Sequence, residues 1–424
     1  MKSDGCGPWP TIALGEVVEI RHGFAFKGEF FRDEGPGDIL LTPGNFAVGG
    51  GFTWHKTKYY SGPVDHRFVL RPGDLIITMT DLSRGADTLG SPAIVPPPPE
   101  GARLLHNQRL GLVEITAPDR IDPRFLYSVL RTNLYRRQVV ASATGTTVKH
   151  TSPPRIGEAL IPLPPLGDQQ TIARILGALD DKIDSNRRLA RLLEETAATL
   201  FRARFVDFVG VEEFEESEIG RIPRGWSVGT LAEVAEVHRD LVKGADDLPY
   251  IGLDSMPKGS SVLTDWQNGD GAPSGQAARF EVGDILFGKL RPYFHKVGVA
   301  PIRGRCSTEI LVLRPVAPEL YGLALGHVAS KAFIEHCVAV SRGTRMPRAE
   351  WSDAGSFKIA IPPVADAATF TDLVRHVYAY IRTLTLESRT LATIRDALLP
   401  KLVSGEIRVP DAADPAEMIE PALA

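Results

Sequence analysis

One stretch of the sequence has the residue types and spacing of a phosphate-binding loop, Gly283-Asp-Ile-Leu-Phe-Gly288-Lys289. In such loops the backbone N–H groups surround the phosphates, and a Ser or Thr after the lysine holds Mg²⁺. Here Leu290 follows the lysine, and branched apolar residues fill a loop that should be flexible. The pattern therefore predicts a strand that ends in a turn, and not a nucleotide site.

Residues that could hold a metal or act in catalysis are also spaced unfavourably. The ten histidines show no pairing with cysteine at zinc spacing, and no His-Glu-x-x-His motif occurs. Asp180, Asp181 and Lys182 could belong to a nuclease carboxylate cluster, but they fall on a predicted coiled-coil helix, where charged residues normally flank the seam. We therefore predict no catalytic residue, no metal site and no cofactor in this chain.

The composition is that of a soluble globular protein, with 43% hydrophobic and 24% charged residues. Cys6, Cys306 and Cys337 are few and widely separated, which is typical of a reducing cytoplasm without a disulfide framework. No apolar run approaches the roughly 18 residues of a membrane span, and the N-terminus lacks a signal-peptide core. The sequence predicts a cytoplasmic protein.

The basic residues are concentrated where acids are absent. No acid occurs at 123–157 or at 289–305, although both segments hold several Arg or Lys residues. One such segment is usually a solvated basic face, but one in each half favours contact with a polyanion. The net charge of −4 does not exclude this contact, because binding depends on a local face.

The sequence also repeats itself. Three segments of the first half return in the second: 9–20 as 226–237, 72–76 as 282–286, and 161–165 as 359–363. The distance between matches drifts, which indicates one architecture with loops of different length. The repeat predicts an ancient duplication and a target made of two similar parts.

The elements that must position these residues follow the same repeat. Short apolar runs at 38–42, 74–78, 110–115, 284–287 and 309–313 are separated by Gly- and Pro-rich turns, which predicts twisted sheets. Helical spacing follows at about 123–140 and near 320–340. A heptad seam then comes after each double proline, at Ile172, Leu176, Leu179, Ile183, Asn186, Ala190, Leu193, Ala197 and Leu200, and at Phe370, Val374, Val377, Ile381, Leu384, Ser388, Leu391, Arg395 and Leu398.

Two sustained seams in one chain most simply pack on each other, and Asn186 would fix their register. Helices of about 30 to 40 residues would be roughly 45–60 Å long, which is typical of a spacer. The alternative is that each helix belongs only to the core of its own domain.

Several motifs resemble the DNA-specificity (S) subunits of type I restriction–modification enzymes. They are the segment Leu200-Phe201-Arg-Ala-Arg-Phe205-Val-Asp207-Phe208 with the following 219–226, the C-terminal run 398–407, and residues 280–296 with Cys306-Ser-Thr-Glu309. The resemblance covers almost the whole chain in the expected order. The first copy departs from it, because Met79-Thr-Asp81-Leu-Ser83-Arg84-Gly85 stands where the second has Lys289-Leu-Arg291-Pro-Tyr293.

The resemblance implies an α+β fold with two strand-rich target-recognition domains in tandem, each followed by a long helix, the two helices forming an antiparallel coiled coil. We expect target-recognition domain 1 at 1–165, a central spacer helix and junction at 166–210, target-recognition domain 2 at 211–363, a C-terminal spacer helix at 364–408 and a flexible tail at 409–424. Each domain would read one half of an asymmetric bipartite site on double-stranded DNA.

The resemblance also implies partners and cofactors. The chain would be a non-catalytic subunit that directs two methyltransferase subunits and restriction–translocation subunits to DNA. S-adenosylmethionine, ATP and Mg are expected only on those partners. The alternative is a pseudo-symmetric protein scaffold that binds acidic partners without reading DNA.

Basic and polar loop residues are the predicted DNA contacts, because Arg and Lys bind phosphates or guanine edges while Thr and His add neutral hydrogen bonds. The loops at 145–147 and 343–345 share a glycine at the same point of each copy, although an ordinary turn would look the same. The predicted contacts are Arg84, Arg109, Thr147, Lys149 and His150 in the first copy, and Lys289, Arg291, Lys296, Arg342, Arg345 and Arg348 in the second.

Overall fold

The computed structural model describes residues 9–54, 57–81, 83, 85–146, 148–243, 247–269, 273 and 275–408. The chain divides into two compact units, one formed by the described parts of Met1–Asp181 and Ala392–Ala424 and the other by those of Lys182–Leu391. The predicted tail at 409–424 lies outside the described residues.

The first unit consists mainly of short strands. They are β1 (Thr11–Ala13), β2 (Val18–His22), β3 (Phe31–Arg32), β4 (Asp38–Leu41), β5 (Tyr59–Tyr60), β6 (Val69–Leu70), β7 (Leu75–Thr78), β8 (Thr80–Asp81), β9 (Pro92–Ile94), β10 (Leu104–His106), β11 (Leu110–Ile115), β12 (Lys149–His150) and β13 (Leu160–Pro162). Its helices are α1 (Pro123–Leu130), α2 (Asn133–Ala141) and α3 (Pro153–Gly157), and then α4 (Leu166–Phe205) begins. The division between the units falls within α4.

The second unit also consists mainly of short strands. Its strands are β14 (Phe214–Ser217), β15 (Gly220–Pro223), β16 (Ser227–Thr230), β17 (Ala235–His238), β18 (Leu241–Lys243), β19 (Tyr250–Ile251), β20 (Gln276–Phe280), β21 (Ile285–Gly288), β22 (Val297–Val299), β23 (Gly304–Ser307), β24 (Ile310–Pro315) and β25 (Lys358–Ile361). Its helices are α5 (Tyr321–Val328), α6 (Lys331–Val340) and α7 (Trp351–Ala354), and most of α8 (Val364–Ser404) also belongs to it.

The two units have matching sheets. The four-stranded order β2-β11-β7-β9 in the first unit corresponds to β17-β24-β21-β22 in the second. In the other sheet, β10 is parallel to β4 and antiparallel to β6, and β23 is likewise parallel to β19 and antiparallel to β20. The duplication seen in the sequence is therefore also present in the topology, and the suspected phosphate loop is the strand β21 with its turns.

Each copy has two helices where periodicity predicted one. The side chain of Thr132 accepts a hydrogen bond from the backbone N–H of Tyr135 and caps the start of α2. Ser330 accepts from the backbone N–H of Phe333 in the same way and caps α6. The apolar spacing continues across each break, so periodicity alone could not reveal a new N-terminus.

Within each unit, α4 and α8 contact each other in opposite chain directions. In the first unit Ile172 shares a hydrophobic core with Val403, while Asp180 is bonded to Arg395. In the second unit Ala190 shares a cluster with Leu384. Further along α4 in that unit, the ring centroids of Phe205 and Phe370 lie 5.1 Å apart. Most predicted seam positions are buried, while Leu200 is 43% exposed.

Within the described residues no helix is long and apolar enough on its own to cross a membrane. One bent pair, Pro318–Val328 with Lys331–Val340, passes that test of length and composition jointly.

Candidate nucleic-acid interface

Three segments of the first unit meet at the ends of its strands. The backbone N–H of Met79 donates to the carbonyl of Arg109 over 2.8 Å, and Met79 in turn accepts from the N–H of Thr151 over 3.0 Å. Thr144 and His150 exchange backbone hydrogen bonds of 2.9 and 2.8 Å across the glycine loop. We call this set of backbone contacts the three-segment frame, because it joins the ends of β7, the β10–β11 turn and β12.

The second unit builds the same frame from its own residues. The N–H of Lys289 donates to the carbonyl of Glu309 over 3.0 Å, and Lys289 accepts from the N–H of Ala349 over 3.0 Å. Arg342 and Arg348 exchange two backbone hydrogen bonds of 3.0 Å. Each bond has a counterpart in the first unit.

The glycine loop of each frame requires a left-handed backbone. Gly145 has φ +94° and Gly343 has φ +99°, a region that residues with a Cβ rarely adopt. A Cβ at Gly145 would also lie 2.0 Å from the carbonyl oxygen of Val148. The loops that the sequence matched are therefore the same turn in both copies.

The side chains on the two frames differ in charge and shape. Where the first unit has Met79, Arg109 and His150, the second has Lys289, Glu309 and Arg348 at the corresponding places. The duplication has thus kept a backbone arrangement and changed the groups that it displays.

In the second unit, three of the predicted cations are paired with acids. Lys289 Nζ lies 3.1 Å from Glu350 Oε1, and Arg342 Nη2 lies 3.0 Å from Asp353 Oδ2. Arg348 forms a two-pronged ion pair with Glu309, and the hydrogen bond and charge of Glu309 raise the pKa of Arg348 above its ordinary value. The frame therefore brings together Lys289, Arg342 and Arg348 with their counter-charges.

The other predicted cations of this unit have different surroundings. Arg345 is exposed, and its carbonyl accepts a 3.5 Å hydrogen bond from Arg291 Nη2. Arg291 has a left-handed backbone, φ +51°, and its buried Nε has no partner among the described residues. Lys296 Nζ donates to the carbonyl of Leu253, so this amino group is bonded within the protein in this structure. Burial lowers the pKa of Lys296.

In the first unit, Lys149 and His150 form β12 and pair with Asp81 and Thr80 of β8. His150 is exposed, and its Nδ1 lies 3.1 Å from Thr80 Oγ1. Arg109 is exposed and is anchored by its backbone N–H, which donates to Asn107 Oδ1 over 2.9 Å. The predicted contacts Arg84 and Thr147 lie outside the described residues.

Asp81 stabilises the loop that follows β8. Its carboxylate accepts from the backbone N–H groups of Ser83 and Thr88 and from the Thr88 hydroxyl. Burial by itself raises the pKa of Asp81, but these hydrogen bonds bring it below its ordinary value. The carboxylate is therefore a structural anchor beside the frame.

The acids were missed by a search for basic residues. Glu309, Glu350 and Asp353 are the direct partners of the predicted DNA contacts, and Glu309 already stood in the recognised Cys-Ser-Thr-Glu motif. No pattern along the chain indicates which cation each acid faces.

The chain is similar to one described protein family and to several known proteins. Residues 7–195 match the family described as the type I restriction modification DNA specificity domain. The MjaIX specificity subunit of Methanocaldococcus jannaschii is 25% identical over 317 residues, covering 70% of this chain and 72% of that protein. The EcoBI specificity subunit of Escherichia coli is 28% identical over 249 residues, covering 56% and 48%.

A solved structure supports the fold. The type I restriction–modification S subunit from M. genitalium aligns over 97% of this chain and 99% of that chain, with a TM-score of 0.56 and 16% identity. The chain is therefore similar to the type I restriction enzyme specificity subunits, and its residues 7–195 match the DNA specificity domain of that family.

Proposed function

We propose that this chain is the non-catalytic specificity subunit of a type I restriction–modification complex and that it reads an asymmetric bipartite DNA site. The observation that carries the proposal is the three-segment frame, present in both units with different side chains. One frame displays an imidazole and the other a guanidinium with its carboxylate. Groups of such different hydrogen-bonding capacity select different base edges, so the two half-sites should differ.

The assignment of parts follows the sequence expectation. Residues 1–165 and 211–363 are proposed as the two target-recognition domains, and 166–210 and 364–408 as the spacers. The contacts of α4 with α8 within each unit support an antiparallel coiled coil of these spacers.

The spacers are also the proposed docking surface for two methyltransferase subunits. A duplicated chain presents two equivalent outer faces, which suits two identical partners. Restriction–translocation subunits would join that complex. S-adenosylmethionine, ATP and Mg would be held by the partners.

Selection from a randomised duplex pool tests the function. The full chain, assembled with its methyltransferase subunits, should enrich two fixed blocks of different sequence separated by unread base pairs. Affinity for the enriched duplex should fall steeply with salt as counterions are released from the phosphates. Binding with no sequence preference and no steep salt dependence would favour the scaffold alternative.

A further inference from the structure

The pair Glu309–Arg348 holds one edge of a guanidinium. Arg348 Nε lies 2.9 Å from Glu309 Oε2, and Nη2 lies 2.9 Å from Oε1. These bonds use the Nε/Nη2 edge of the guanidinium, and Nη1 donates a long hydrogen bond of 3.4 Å to the carbonyl of Met346. The side chain of Arg348 is 38% exposed. The Nη1/Nη2 edge is therefore left for another acceptor.

That remaining edge has the geometry to read a base. A guanidinium edge donates two parallel hydrogen bonds, and guanine offers O6 and N7 as paired acceptors in the major groove. A free arginine loses rotamer freedom when it binds, whereas one already fixed by a carboxylate loses less. A second anionic group on the exposed edge would also be repelled by Glu309, which disfavours a phosphate relative to a neutral base.

The first unit holds His150 by one edge in a similar way. His150 Nδ1 is bonded to Thr80 Oγ1 at 3.1 Å, and the two residues face each other in the β12–β8 register. The ring's other nitrogen, Nε2, forms no hydrogen bond with the described residues. An imidazole held in this manner presents one hydrogen-bonding atom, where Arg348 presents two.

The carboxylate has no equivalent in the first frame. Arg109 stands at the place that Glu309 occupies in the second, as their matching bonds to Met79 and Lys289 show. His150 and Arg348 therefore occupy the same position in the two units. The residue that holds the side chain differs, because it is Thr80 in the first unit and Glu309 in the second.

We infer that Glu309 and Thr80 are positioning residues for sequence readout, each fixing one edge of the reading side chain, Arg348 or His150, so that the opposite edge meets a base. This inference rests on the proposed function, because it requires DNA at the frames. It assigns Arg348 to a guanine of the second half-site and His150 to a single hydrogen bond in the first.

The test uses paired variants and the selection from randomised duplexes. Glu309→Gln should lower the preference for guanine at one position of the second half-site roughly tenfold, as expected for a weakened bidentate contact. Thr80→Val, which removes the hydroxyl at similar volume, should change preference at one position of the first half-site only. Each variant is the control for the other, because the opposite half-site should keep its sequence.

A merely structural role of Glu309 would give different results. If Glu309 acts through Arg348, then Glu309→Gln should change nothing further in a chain that already carries Arg348→Ala. Glu309→Asp should restore part of the guanine preference, because a carboxylate is retained. Loss of thermal stability with unchanged base preference would overturn the inference.

Failure of the inference and failure of the proposed function are distinguishable. If the unsubstituted protein enriches no sequence, both are overturned. If it enriches a bipartite site whose second half is unchanged by Glu309→Gln, the inference alone is overturned. Additive effects of Glu309→Gln and Arg348→Ala would overturn it as well.

Discussion

Asn186 Nδ2 donates a 2.7 Å hydrogen bond to Glu387 Oε2, so the polar position in the seam of α4 is satisfied by α8. Asn186 is 2% exposed, and Lys182 adds a 3.5 Å ion pair to the same glutamate. A buried amide with one specific partner favours a single register over shifted ones, because a shift would leave the amide unpaired.

This pair allows a donor–acceptor exchange. Asn186→Asp would place two carboxylates together and should lower the free energy of unfolding by about 2 kcal/mol. Adding Glu387→Gln should recover much of that loss, since the new amide can donate to the new carboxylate. Denaturant unfolding of Asn186→Asp, Glu387→Gln and the double variant measures the coupling, and additive losses would contradict the direct contact.

Asp180 bonds two arginines within the first unit, and we predict that it stabilises that unit strongly. Arg131 Nη1 and Arg395 Nη1 each lie 2.7 Å from its carboxylate oxygens, and their side chains are only 8% and 16% exposed. Asp180→Ala should destabilise the protein by about 2–3 kcal/mol, because it leaves two poorly solvated cations. The exposed neighbour Asp181→Ala is the matched control, and equal effects in thermal unfolding would contradict the prediction.

Contacts of the second unit with DNA should depend on its exposed arginines. Arg345→Ala and Arg342→Ala should weaken binding to the second half-site only, and each should reduce the log–log salt slope by about 1 if a phosphate contact is lost. Lys331→Ala is the control, since that lysine lies on α6, outside the three segments that form the frame. Titrations with duplexes mutated in one half-site measure the effect, and equal losses at both half-sites would contradict modular recognition.

His327 should make the stability of the second unit depend on pH. Burial lowers its pKa from 6.5 to about 3, and its ring packs edge-on against Phe201 at 4.9 Å. Between those values the unfolded chain binds a proton that the folded chain does not, so stability is complete above pH 6.5 and falls as the pH decreases toward 3.

His327→Phe should therefore reduce the loss of melting temperature between pH 7 and pH 5, measured by calorimetry. The exposed His376→Gln should leave the pH dependence unchanged. Some dependence will remain in either variant, because burial also lowers the pKa of His106 in the first unit, to about 4. An unaltered profile for His327→Phe would show that this histidine is not responsible.

The spacer proposal predicts an effect of helix length on the DNA gap. One heptad inserted between Asp181 and Lys182, with another between Leu391 and Ala392, lengthens both helices by about 10 Å while keeping the seam. These points avoid the contacts around Ser388, where Arg389 lies 3.8 Å from the Trp266 ring centroid. The selected gap should grow by roughly three base pairs at 3.4 Å each. Altered half-site bases with an unaltered gap would contradict the spacer role.

The sequence by itself determined the duplication, the main strands and the two long helices. Leu176 and Leu384 belong to the heptad seams because a helix must bury one face, and this requirement gives its apolar residues a regular spacing. The repeated glycines Gly145 and Gly343 marked the same turn, because few other residues tolerate a positive φ. These are local constraints, so local patterns reveal them.

Only the tertiary structure decided which groups meet. Asp180 and Arg395 are 215 positions apart and Glu309 and Arg348 are 39 apart, and no local pattern links either pair. The sequence predicted only that Asp180 flanks the seam of a long helix, whereas the fold brings two arginines to it. Ion pairs between distant segments depend on how sheets and helices pack together. Spacing along the chain can therefore indicate which charged residues are candidates for a site, but it cannot identify their partners.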